Sequence, residues 1–153
     1  MLFRSYLGDV NVSSNGVLHA TQDKQFALLA TWIIFCRNRD KDWLKTVYKR
    51  LRKTYEPNGE LVVASWQDMN EVSYKMPDSP AKRNEKKEDV YSLDMSCIKL
   101  LNMELLERMA IICNDSFLSN YATAKNELRK KINDTLYNES LGIYMNKYVG
   151  GSF

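Results

Sequence analysis

Apolar positions recur at three- and four-residue steps over most of this chain, and strict alternation is confined to short stretches near its start. The clearest stripe is Tyr121, Ala124, Leu128, Ile132 and Leu136, which predicts an amphipathic helix backed by Lys125, Arg129, Lys130 and Lys131. Upstream of it, Ile98, Leu101, Leu105, Met109 and Ile112 repeat in the same way, with Leu100, Leu106 and Cys113 on the flank. Ser92 stands where a side-chain oxygen can cap the first turn, so a long core helix is expected from there to a break near residues 114–120.

Residues 26–36 carry Phe26, Leu28, Leu29, Trp32, Ile33, Ile34, Phe35 and Cys36, which point in almost every direction at about 100° per residue. A helix apolar all round is expected to be buried all round, so this element is read as the centre of the core. Thr21 can cap it, Asp23 suits its first turn, and it runs to about Arg37. Counted from Asp40, the residues Trp43, Leu44, Val47, Tyr48, Leu51 and Tyr55 fall within a sector of roughly 140°. Lys41, Lys45, Lys49, Arg50, Arg52 and Lys53 occupy the opposite sector. The aromatics therefore face the core and are not interleaved with the basic residues as a base-stacking surface requires. Pro57-Asn58-Gly59 closes this second helix with a turn.

At the N-terminus, Val10 and Val12 alternate with polar residues before Asn15-Gly16, and Val17-Leu18-His19 follows, a pattern that predicts a short hairpin. Residues 60–66 read either as a strand pairing with that hairpin or as the start of another helix through Met69 and Val72. Residues 77–89, PDSPAKRNEKKED, hold two prolines and dense charge and predict a mobile loop. Leu141 to Val149 is apolar enough to dock, and residues 150–153 read as a flexible tail.

A length of 153 residues, 44% hydrophobic and 27% charged, bounds the chain to one globular domain of ordinary size, 1–153. Asn, Lys, Tyr and Ile are plentiful while Ala, Gly and Pro are scarce, a usage common in A/T-rich genomes such as those of many viruses. The start of the chain has no continuous apolar run of the secretory type, and the longest uncharged apolar run, Phe26 to Cys36, is about half of what spans a bilayer. A cytoplasmic, reducing setting is expected, or a virion if the protein is viral. Cys36, Cys97 and Cys113 lie far apart with no C-x-x-C spacing and are expected as buried free thiols. The sequons at Asn11, Asn114, Asn133 and Asn138 then carry no weight.

Candidate chemistry is sparse. His19 is the one histidine, which leaves no triad and no metal cluster. The usual nucleophile, zinc, calcium and phosphate-loop signatures are missing. Asp78 with Glu85-Lys86-Lys87 spells a short form of a nuclease pattern, but it lies in the charged loop without the rigid scaffold that holding a divalent metal needs. Met95, Met103 and Met109 read as core filling before a groove for a partner helix, and Glu104, Glu107 and Glu127 as surface pairs beside Arg108 and Lys131. Neither enzyme activity nor a catalytic residue, cofactor, metal or small-molecule substrate is expected.

The stretch from Trp32 to Met76, with Arg37-Asn38, Tyr48, Leu51 and Glu60-Leu61, resembles the first helices of the poxviral Bcl-2-like immune modulators. The resemblance spans under a third of the chain, and no family is assigned from it. The residues themselves predict a mainly α fold, a compact bundle of about five helices with a small β-hairpin or strand element near the N-terminus. The expected function is a non-catalytic helical assembly or adaptor protein that self-associates or holds a protein partner, such as a viral or phage structural component, with no membrane. The alternative is a nucleic-acid-binding accessory protein that contacts phosphates through Lys41, Lys45, Lys49, Arg50, Arg52, Lys53, Lys125, Arg129, Lys130 and Lys131.

Overall fold

A computed structural model of the chain describes residues 26–64, 88–151 and 153. The expected hairpin at residues 10–19, the Thr21 cap, a helix through Met69 and Val72, and residues 77–87 of the charged loop lie outside the described residues, as do His19, Asp78 and Glu85. The structure is mainly helical, with four helices among the described residues and with small antiparallel sheets. It divides between Tyr55 and Glu56 into two compact units.

The first unit contains α1, Ala27–Asn38, and α2, Lys41–Leu51. α1 ends at Arg39, whose left-handed backbone (φ 56°) lets its N–H donate to the Phe35 carbonyl at 2.8 Å. Asp40, in extended backbone, then starts α2, its carboxylate accepting from the N–H groups of Asp42 and Trp43 at 3.1 and 2.9 Å. Arg39 and Asp40 therefore reverse the chain between the two helices. The face that α2 buries is the one its sequence predicts: Leu44, Tyr48 and Leu51 are buried, while Lys41, Lys45, Lys49, Arg50 and Lys53 are exposed.

α1 departs from expectation. It buries Leu28, Thr31 and Phe35, but Ile33 is 59% exposed and Phe26, Ile34 and Cys36 also face solvent. Burial all round needs neighbours on every side, and α2 covers one. The buried threonine is satisfied locally, its hydroxyl donating to the Ala27 carbonyl at 2.8 Å.

The second unit runs β1 (Val63–Ala64), β2 (Val90–Tyr91), α3 (Leu93–Cys113), α4 (Leu118–Leu136), β3 (Tyr137–Asn138), β4 (Ile143–Tyr144) and β5 (Lys147–Tyr148). α3 and α4 pack as an antiparallel hairpin. Ser92 caps α3 by accepting from Met95 N–H at 3.4 Å, and Asn114 closes it in left-handed backbone (φ 54°). α4 buries Tyr121, Ala124, Leu128, Ile132 and Leu136, the stripe its sequence predicts. Leu128, Ile132 and Leu136 form a cluster against Leu61, Tyr91, Leu93 and Leu100.

α3 is turned relative to its expected stripe. It buries Ser96, Asn102, Met103, Leu105, Leu106, Met109 and Ala110, whereas Leu101 and Ile111 are exposed and Ile98 and Ile112 half-buried. The buried arc centres near Leu106, about one residue step or 100° from the predicted centre. Apolar residues surround most of this helix, so the contacts with α4 choose the face rather than the periodicity.

The sheets are built from pairs of residues. β1 pairs antiparallel with β2 and β2 with β5, in the register Val63↔Tyr91 and Val90↔Tyr148. Within residues 60–64 the strand alternative holds at Val63–Ala64, which pairs with β2. β3 and β4 form a separate hairpin through Gly142, where φ is +68°. Within residues 141–149, β5 is the part that docks, while Leu141, Ile143, Tyr144 and Val149 remain exposed.

All three cysteines are free thiols, but Cys36 and Cys97 are exposed and Cys113 is half-buried, contrary to the expected burial. Cys97 sits on α3 opposite the buried arc. Partial burial, with Asp94 nearby, pushes its thiol pKa up, which lowers its reactivity.

Candidate functional site

The ten basic residues singled out from the sequence divide into two groups of different character. On α2, Lys41, Lys45, Lys49 and Arg50 are exposed, as is Lys53 just beyond it, and none enters an ion pair among the described residues. Arg52 is half-buried and makes contacts of its own. The helix turns these cations outward because its opposite side is held by Leu44, Tyr48 and Leu51. Lys41, Lys45, Lys49 and Lys53 follow one another at four-residue steps, which gives an axial interval of about 6 Å and a turn of about 40° each time. One carboxylate, Asp42, shares the first turn of this face.

The basic residues of α4 are mostly engaged within the fold. The Lys125 ammonium, its side chain 14% exposed, pairs with Glu107 Oε2 and lies 3.3 Å from Glu104 Oε2. These partners raise its pKa, the hydrogen bond to Glu107 most of all. Glu104 also takes a hydrogen bond from Arg108 Nε at 3.0 Å, and Arg129 reaches it at 3.9 Å. Arg108 first, and then Lys125, hold the Glu104 carboxyl below its ordinary range. Lys131 pairs with Glu60 at 2.5 Å and depresses its pKa in turn. Lys130 is exposed and enters no ion pair among the described residues. Glu104 and Glu107 therefore clasp α3 to α4, a role that a reading as independent surface pairs misses.

Two features were not singled out from the sequence. Arg37 and Arg39, both exposed, continue the positive charge into the last turn of α1 and its cap. Eight of the 22 Lys and Arg residues and two of the 19 Asp and Glu residues fall within 37–53, so that segment carries +6 while the other residues together carry −3. Segmental charge would have found it, where a net charge of +3 conceals it. The second feature is the outer side of α1, where Phe26, Ala30, Ile33 and Arg37 follow one another at four- and three-residue steps and all are exposed, with exposed Ile34 beside them.

An open groove of about 330 Å³ is lined by Pro57, Asn58, Ser119, Asn120, Thr123, Ala124 and Glu127. Its one ionisable side chain, Glu127, is exposed, which leaves little there to fix a ligand. Among the described residues no group of three or more His, Cys, Asp or Glu is placed to hold a metal ion, and no helix is long and apolar enough to cross a membrane. No family model matches the chain, and neither a curated protein nor a solved structure is significantly similar to it.

Proposed function

We propose that the protein is a helical assembly protein that acts through protein contacts, with a second copy of itself as the partner seated on the outer side of α1. The observation that carries this reading is the exposure of Phe26 (53%) and Ile33 (59%) on the side of α1 opposite its buried face, with Ile34 exposed on the flank. Bare apolar residues grouped on a regular element favour association.

The order of the stripe supports self-recognition. In a two-fold antiparallel pair, Phe26 of one copy meets Arg37 of the other, and Ala30 meets Ile33. The first contact suits a guanidinium over an aromatic face and the second a small residue against a large one. The two Arg37 side chains stand at opposite ends, so like charges do not meet. A 12-residue helix offers a modest area, and the resulting association is weak and concentration-dependent.

Light scattering coupled to size-exclusion chromatography on the full chain tests the reading. A dimer is expected at high protein concentration and a monomer on dilution. Ile33→Glu, which alters an exposed position, is expected to leave helicity intact and remove the dimer. A wild-type chain that stays monomeric at its highest soluble concentration overturns the proposal.

A further inference from the structure

We infer that the outward face of α2, with Arg39 ahead of it, is a binding surface for the phosphodiester backbone of a nucleic acid, read without regard to base sequence. This surface is distinct from the α1 stripe and holds whether or not the chain self-associates.

The inference starts from charge that the fold leaves unspent. On α3 and α4 several cations are neutralised: Lys125 with Glu107 and Glu104, Lys131 with Glu60, Arg108 with Glu104. Along 37–53 the protein gathers a net +6 and leaves Lys41, Lys45, Lys49, Arg50 and Lys53 exposed, with no ion pair among the described residues. Concentrating like charge costs self-repulsion, which a polyanion relieves by displacing its own condensed counterions.

Geometry narrows the kind of polyanion. Lysines at about 6 Å intervals along a rigid helix match a linear polymer with regularly repeated charge. The ridge continues past the helix end to Lys53, because Arg52 N–H donates to the Tyr48 carbonyl at 2.8 Å and Thr54 N–H to the Leu51 carbonyl at 2.9 Å. A lipid surface fits less well: an interfacial helix must insert its apolar side, and that side of α2 is filled by Leu44, Tyr48 and Leu51 in the protein interior. Tyr48 is buried and Trp43 half-buried at the edge of the basic sector, so bases gain little stacking platform and recognition stays on phosphates. Lys125 and Lys131 are excluded from the footprint because their charges are already met.

The test is fluorescence anisotropy of the full chain with labelled mixed-sequence oligonucleotides, single-stranded and duplex, from about 50 to about 200 mM salt. Contact with about five phosphates predicts a log–log salt slope of about −3.5 on a single strand and roughly 100-fold weaker binding across that range. Changing the base sequence should leave affinity unaltered. Lys45→Gln and Lys49→Gln should each lower the slope by about one contact, and Lys49→Glu with Arg50→Glu should abolish binding. Lys130→Glu on α4 should change nothing. All these positions are exposed, and an unchanged far-ultraviolet circular dichroism spectrum verifies folding.

The inference is overturned if wild-type protein leaves both oligonucleotides unbound at low salt, if charge reversal on α2 spares binding, or if phosphatidylserine vesicles or polyglutamate bind more tightly than either oligonucleotide. The wild-type salt slope stands even where a variant misfolds.

Discussion

Ser96, fully buried on α3, accepts a hydrogen bond from the backbone N–H of Val62 at 3.0 Å. The Val62 carbonyl in turn accepts from Ser92 N–H at 2.8 Å, so both polar groups of one residue beside β1 are met by the start of α3. A buried backbone donor without a partner costs about 1–3 kcal/mol. Ser96→Ala is therefore expected to destabilise the protein by that amount, read as a lower midpoint in urea unfolding. Ser96→Thr keeps the acceptor and tests whether the hydroxyl or the space matters.

Gly59 is buried against α4, and a Cβ placed on it would come within 2.5 Å of Glu127 Cβ and of Glu127 Oε2. The carboxylate end can swing aside, but the Cβ is fixed to the helix. Gly59→Ala is expected to cost about 1–3 kcal/mol by overcrowding and to lower Tm by several degrees in calorimetry. An unchanged Tm would mean that the turn at Pro57-Asn58 moves freely against α4.

Glu104 has its pKa held below the ordinary carboxylate range by Arg108 and then by Lys125. A depressed folded-state pKa means that its stabilisation is present above the unfolded value and fades as pH falls through the folded one. Lys125 has the opposite shift, so its share is present below the ordinary lysine value and is lost as pH rises above it. Tm measured against pH should therefore fall on acidification below the ordinary glutamate range. Glu104→Gln should flatten that acid limb and also weaken the alkaline one at Lys125, which then keeps Glu107 alone as its carboxylate partner.

The Tyr55 phenol is pushed up to about 12 by burial. The neutral form is favoured in the fold, so this contribution is present below the ordinary tyrosine value near pH 10 and is lost as pH rises from there. The difference in ultraviolet absorbance between wild type and Tyr55→Phe should titrate near pH 12. A midpoint near 10 would show that the phenol is solvated.

Leu106 is fully buried on α3 while Ile111, equally apolar and on the same helix, is 56% exposed. Leu106→Ala is expected to cost about 3–5 kcal/mol, and Ile111→Ala less than about 0.5 kcal/mol. Equal effects in denaturant unfolding would mean that α3 presents a different face to α4.

The contrast between the helices shows how far the sequence could be read. α2 and α4 alternate apolar and basic sides, so one orientation buries Tyr48 or Leu128 without burying a lysine, and both faces were legible from spacing. α1 and α3 are apolar over most of their circumference, and every rotation buries comparable apolar area. Their true faces put Thr31, Ser96 and Asn102 inside and Ile33 and Ile111 outside, which no periodicity favours. The basic residues of α4 were legible as cations, yet that Lys125 is spent on Glu104 and Glu107 follows from a helix pairing across 18 to 21 positions.

Local spacing and chemistry thus determined the mainly helical character, the caps at Ser92 and the breaks after α1 and α3, because those depend on neighbours within about one turn. Tertiary structure decided the strand pairs 63–64 with 90–91 and 90–91 with 147–148, the exposed side of α1, and which cations remain unpaired. Each of these is a choice among nearly equal local options, settled by which distant surface arrives to cover a residue or to meet its charge.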